Sequence, residues 1–470
     1  MALCLTGWIA VSGSPTAQAI NPPCSLGASW GSPPSGIPVD VCGSDPHQAN
    51  FNALAWEMFK FLVWPASSKQ RGEADTSRKI TDMRGPRTFE TLKADWEIFL
   101  PNAFKPNPWE TYPGVAGPCT NHPKIRPGEL VLASFSEFGN LREVDNTPGL
   151  TNVLVAQNWT YVRYLAAYNK EVFNTIVGHK LYNSDIVREI VPPLPGSPVP
   201  AVAIQPSGAL TVKSAWIELP KGNDRPGKHI DASRFYVRRD AWLQDPQTRA
   251  CRTATVGLVG LHIAFKTQSR PQWIWSTFEH IDNVPEQGDR SGKTYTFNNG
   301  DGTHMTDDPE PMYQFPRPAG APGPGVPPKP FQVERLQQIS SDTLNANQDS
   351  QAKLRKLGSV WRYYKLVMTQ WPVVPSAPDE DASRAFPMPF CSGRAVPAAI
   401  NTTMETFLQT KQHCDQRLTC MGCHNAARAT DFIWSIPVNP NFPPEDPRFP
   451  TPRDDALKAL QNILHGSQPR

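Results

Sequence analysis

Prolines divide this chain into short stretches: there are 51 among 470 residues, about twice the ~5% of an average protein. Proline fixes φ and removes a backbone donor, so it ends helices and is confined to loops, first turns and strand edges. Regular structure is therefore expected only where proline is sparse, between proline-rich connectors at residues 192–206, 315–330 and 437–452. Asp45-Pro46-His47-Gln48 reads as a helix start, with a cap residue, proline at the first position and Gln48 closing the box. Phe51, Leu54, Ala55, Met58, Phe59 and Leu62 follow at helical spacing, up to Trp64-Pro65. A second helix is expected over Thr88 to Leu100, and a helical or mixed stretch over Asn152 to Ile176.

Beyond residue 206 the character changes. Gly208 to Leu219, Arg234 to Arg239, Thr255 to Lys266 and Pro271 to Ile281 are rich in β-branched and aromatic residues and read as strands. The last two are joined by a short polar turn and should form a hairpin. One more helix is expected over Ser341 to Lys356, then a strand over Val360 to Trp371. The expected fold is α+β, a central antiparallel sheet with flanking helices and long Pro-rich loops. Its parts are a segment 1–19, a mainly helical part 20–206, a β-rich part 207–380 and a C-terminal segment 381–470 packed on the rest.

Residues 2–11 are mostly apolar and Ala17-Gln18-Ala19 has the small-x-small form of a cleavage site. This predicts a signal peptide over 1–19 and a periplasmic or secreted protein, although no Lys or Arg precedes Ala19. No later stretch is apolar over 18 residues, so no membrane span is expected in the mature chain. With 46 basic and 43 acidic residues the net charge is +3, too small to draw nucleic acid or anionic lipid. An oxidising compartment favours disulfides. Cys24, Cys42, Cys119, Cys251, Cys391 and Cys414 are available for them, and Cys24–Cys42 and Cys391–Cys414 close modest loops.

Residues 420–424 read Cys-Met-Gly-Cys-His, the attachment pattern of a c-type haem. Two thiols at this spacing add to the two vinyl groups on one porphyrin edge, and the next residue, His424, falls under the iron as its imidazole ligand. Composition alone yields roughly 0.004 such patterns in a chain like this one. Two other chemistries use the same residues. Cys414, Cys420 and Cys423 with His413 or His424 would suit a structural zinc ion, and Cys420 with Cys423 a redox dithiol or disulfide. No methionine follows His424, so either no protein group is the second iron ligand or it comes from upstream or from His465, and the haem segment must dock on the larger fold.

The hairpin offers that ligand. Side chains alternate along a strand, so Val259, Leu261, Ile263 and Phe265 should form one bulky face and Gly260, His262 and Ala264 the other. A histidine between two small residues leaves room for a flat ligand, which makes His262 the candidate distal ligand. His280 is the second candidate. In a tight register it opposes Leu258 on the face of His262; a one-residue slip puts the two on opposite faces. Met368, Met388, Met404 and His413 are further options. Trp273, Trp275, Phe278, Phe432 and Trp434 are aromatics that would line such a site.

GLVGLHIAFKT (257–267), PQWIWSTFEHIDN (271–283) and TCMGCHNAARATDF (419–432) resemble the large, exported, single-haem bacterial proteins grouped as cytochrome c family proteins. FNALAWEMFKFLVWPA (51–66), VKSAWIEL (212–219) and NTTMETFLQ (401–409) are weaker similarities. The resemblance implies export, one covalent haem c and redox use, and names no substrate. One-electron transfer with a redox partner protein or a small-molecule electron donor or acceptor is the first expectation. The alternative is a peroxidase- or oxidase-like haem enzyme with an open distal iron face, where Glu279, His280 or Arg270 would serve as acid–base groups. A haem-bearing binding or sensing module is a third.

Overall fold

The structure is a computed structural model that describes residues 29–43, 46–112, 118–122, 125–133, 154–192, 199–205, 208–219, 230–245, 250–289, 291–301, 330–372, 374–375, 400–406, 419–420 and 424–438. The expected signal peptide and residues 315–329 of the second connector lie outside these residues.

Eight strands build a curled sheet: β1 (Lys93–Ala94), β2 (Val131–Leu132), β3 (Val162–Tyr168), β4 (Leu210–Glu218), β5 (Val237–Gln244), β6 (Cys251–Thr267), β7 (Arg270–His280) and β8 (Tyr364–Gln370). Together with the helices they make the protein α+β. One edge of β6 pairs with β4, and beyond it stand β3 and β1. The other edge is shared, with β5 along Cys251–Gly257 and β7 along Gly260–Thr267. The sheet forks there because β6 is irregular at that point. The pairing with β4 slips between Ala215 and Trp216, and a bulge of this kind bends a strand and increases its twist. β2 joins β5 in parallel, while the other pairings are antiparallel.

One face of the β6–β7 hairpin forms the main core. Leu261, Ile263, Phe265, Ile274 and Phe278 pack with α1 (Gln48–Val63), and α5 (Ser341–Lys356) closes over α1 and β8. Phe59 stacks on Phe278 at 4.4 Å between centroids. His47 caps α1, its backbone N–H donating to Asn50 Oδ1 at 3.1 Å, and the helix ends at Trp64 before Pro65. Asn347 of α5 bonds both the N–H and the C=O of Leu366 at 2.8 Å, supplying partners to the edge strand β8.

One expected helix is corrected, and the stretch expected to be helical or mixed is mixed. Thr88 to Leu100 breaks into a 3-10 turn, β1 and the one-turn helix α2 (Asp95–Ile98), because Lys93 and Ala94 pair with Tyr168 and Ala167. Asn152 to Ile176 contains β3 and then α3 (Lys170–Gly178), divided at Asn169, whose side chain accepts the Val172 N–H. A short α4 (Ser184–Ile190) follows. The 20–206 part thus supplies β1, β2 and β3 to the same sheet as the β-rich part. Cys119 and Cys251 form a disulfide. It was not among the preferred pairs, and it leaves Cys24, Cys42, Cys391 and Cys414 for them; Cys24, Cys391 and Cys414 lie outside the described residues. Among the described residues no helix is long and apolar enough to cross a membrane.

Candidate functional site

The second face of β6 is a row of alternate residues, Gly260, His262, Ala264 and Lys266, and the C-terminal chain docks along it. Val259 is a correction. It was expected beside Leu261 but packs with Phe297 and Met404 on the other side of the sheet, because the bulge at this point shifts the alternation. The residues 400–406 cover Gly260: a Cβ built there would sit 2.3 Å from Thr403 Oγ1. Ala264 is buried among Trp273, Trp275, Ala429, Phe432 and Ile433. The small residues beside His262 therefore admit other parts of the chain, and the expected space for a flat ligand directly on the strand is not there.

His424 and His262 come to this same face. The His424 Nδ1 lies 2.7 Å from the Phe432 carbonyl oxygen. A carbonyl only accepts, so Nδ1 carries the proton and Nε2 holds the lone pair. Nε2 makes no hydrogen bond to a described residue. Trp275 lies against the imidazole at 4.1 Å between centroids. Burial lowers the His424 pKa to about 4; the Phe432 carbonyl opposes the shift, while Lys213 and His262 add to it. The ring is thus neutral near pH 7, the form in which imidazole binds metals. Cys420 packs between Trp275's cluster and a smaller one of Ile339, Val367 and Met368. Cys423 lies outside the described residues, as do Met388, His413 and His465.

Opposite His262 in the ladder stands Lys213 of β4. Burial lowers its pKa to about 7, against the pull of Glu405. Glu405 closes the 400–406 turn by accepting the Asn401 N–H through Oε2 at 2.9 Å. Its Oε1 lies 3.3 Å from His262 Nε2, in ion-pair range but without hydrogen-bond geometry, so this buried nitrogen keeps no hydrogen-bond partner. A strand lysine, a turn glutamate and two histidines thus share one face of the hairpin.

His280 is corrected. The hairpin is slipped by one residue, with His262 opposite Thr277, so His280 lies on the other face. Both its ring nitrogens are occupied: Nδ1 accepts the Asp282 N–H at 3.1 Å and Nε2 faces the Arg234 carbonyl at 3.0 Å. Phe235 stacks on it at 3.9 Å. It is a hydrogen-bonded core histidine and no iron ligand. Glu279 is buried in ion pairs with Arg335 and Lys365 and accepts from Thr402. Arg270 sits at the hairpin turn over Phe51. Neither reaches His424's surroundings as an acid–base group. Of the five aromatics, Phe278 belongs to the main core, whereas Trp273, Trp275 and Phe432 surround His424's segment.

The donors suit a c-type haem in one respect that these residues display: a histidine in the attachment motif, neutral, held at Nδ1 by a main-chain carbonyl, with Nε2 as the metal-binding atom. Ligand histidines are held this way as a rule. Among the described residues no three His, Cys, Asp or Glu side chains gather as a metal cluster. No family model, curated protein or solved structure matches this chain.

Lys213, Glu405, Lys266 and Asp431 were not anticipated. Lys213 could have been flagged as a lysine on a strand that otherwise reads as core. Asp431 gives no signal, since its role depends on its backbone conformation.

Proposed function

We propose that this protein is an exported c-type cytochrome, periplasmic or secreted, with one haem held covalently by Cys420 and Cys423 and ligated by His424. The observation that carries the reading is the hydrogen bond from His424, the histidine of the CMGCH motif, to the Phe432 carbonyl, which fixes the tautomer and leaves the lone pair on Nε2. When bound, the haem supplies a one-electron iron couple. The chain's residues set its surroundings. The Phe432 carbonyl accepts the His424 N–H, and Trp275 packs against the half-buried ring. One-electron exchange with a partner protein or a small donor or acceptor is the activity proposed, as the resemblance to cytochrome c family proteins implies. His262 would be the candidate second iron ligand, since its Nε2 is buried without a hydrogen bond and its ring lies close enough to His424 to act on that imidazole's charge.

The haem-enzyme reading has one observation in its favour. His262, Glu405 and Lys213 form an acid–base group beside His424, which an electron carrier does not require. The absorbance spectrum of the reduced protein, with and without carbon monoxide, separates the two. A c-type spectrum that carbon monoxide leaves unchanged is the expected result and means closed axial positions. A shifted spectrum would put the enzyme ahead, and the absence of haem bands in protein made with a working attachment system would remove both.

A further inference from the structure

Phe432 supplies the carbonyl that holds His424, and its own backbone is strained. Asp431 and Phe432 have φ values of 52° and 66°, the left-handed region that non-glycine residues avoid and that a bulky aromatic enters only when its surroundings impose it. The constraint is visible one residue upstream. The Asp431 carboxylate meets Lys266 Nζ at 2.5 Å, with the two side chains 2% and 0% exposed. Its Oδ2 also accepts the Ile204 N–H at 2.7 Å, and the Ile204 carbonyl accepts from Lys266 Nζ at 2.7 Å. The Asp431 carbonyl accepts the Trp273 indole N–H at 2.9 Å. The turn is thus clamped to β6 and β7 from both its side chain and its main chain. Lys266 lies on the same face of β6 as His262, four residues along.

Resting on the haem reading above, we infer that the Lys266–Asp431 ion pair is a positioning device for His424: it holds the strained Asp431–Phe432 turn so that the Phe432 carbonyl stays on Nδ1. A hydrogen bond at this atom makes the imidazole a stronger donor and favours the oxidised metal. Loosening the turn weakens it, and the reduction potential should rise.

The test is the midpoint potential of the haem-loaded, full-length protein. Lys266→Met with Asp431→Asn removes both charges together, and Asn tolerates the left-handed conformation. A shift of the oxidised–reduced equilibrium toward the reduced form by roughly tenfold, about 59 mV for one electron, is expected. The comparison is Arg238→Met with Glu90→Gln, which removes another buried pair, between β5 and the Thr88–Thr91 turn, and should leave the potential where it was. Should the first double variant fail to fold, Trp273→Phe keeps the ion pair and an aromatic ring beneath Lys266 but removes the indole bond to the Asp431 carbonyl, and should move the potential in the same direction by less. An unmoved potential in the folded variant, or an equal shift in the comparison pair, overturns the inference. A wild-type protein without haem overturns the haem reading itself, a result that these variants cannot produce.

Discussion

The two faces of the β6–β7 hairpin each carry a histidine from the same short stretch of sequence, and the two have opposite fates. His280 has both ring nitrogens hydrogen-bonded, a phenylalanine stacked on it and no group left to offer. His262 has a buried Nε2 without a hydrogen bond, 3.3 Å from Glu405 Oε1, with Lys213 opposite it in the ladder. One face is a finished core. The other is covered by the C-terminal chain and leaves the Nε2 atoms of His262 and His424 without a hydrogen bond to a described residue. The difference arises from a single step of register, because a strand's side chains alternate with period two.

Perturbing the ion pairs that hold the second face should have the largest effect on stability. Burial alone would raise the Glu279 pKa, but Arg335 and Lys365 more than reverse this and bring it to about 2. Arg335→Met leaves that charge buried, with only Lys365 near it. It should cost about 3–5 kcal/mol in urea unfolding, the range for a broken buried pair. In wild type the contribution is present above the unfolded carboxyl range near pH 4.3 and is lost as pH falls toward 2.

The next effect is a pH window. Burial lowers the His280 pKa to about 4, below the ~6.5 of an unfolded histidine. Between these values the unfolded chain binds the proton and the folded one does not, so stability should fall as pH drops from about 6.5 to 4, by a few kcal/mol at ~1.36 kcal/mol per unit. His280→Phe should flatten that slope without touching the haem spectrum. A spectral change in this variant would break the comparison between the faces.

The smallest expected cost in stability is that of His262→Ala, about 1 kcal/mol or less by urea unfolding, since the ring makes no well-formed hydrogen bond. Its effect should be spectroscopic, a change in iron coordination or in the response to carbon monoxide. An unchanged spectrum would remove His262 as a ligand and leave neither hairpin histidine as one.

Much of this was legible in the sequence. The β4, β6 and β7 strands follow from their β-branched and aromatic content, and α5 falls on the expected Ser341–Lys356 although its buried face is mostly polar, Thr343, Asn347, Ser350 and Leu354. The His262 row was readable from strand alternation. The register was not. Thr267 pairs with Arg270, but Pro271 has no N–H for the ladder, and the pairing resumes only at Phe265 with Ile274 after Trp273 turns to φ 77°. That irregularity sends His280 to the core, and Pro271 was its only trace. The CMGCH motif marked His424, yet nothing local announced that Phe432, eight residues on, would hold it. Long-range pairing also decided Thr88 to Leu100, where Lys93 and Ala94 join the sheet against the local helical pattern.

The most direct test of the account is covalent haem on the denatured chain, comparing wild type with Cys420→Ala/Cys423→Ala, both produced with a haem-attachment system. Wild type should give a haem-staining band that survives denaturation, and the double variant none. A band that persists in the variant, or one missing from wild type, would contradict attachment at Cys420 and Cys423.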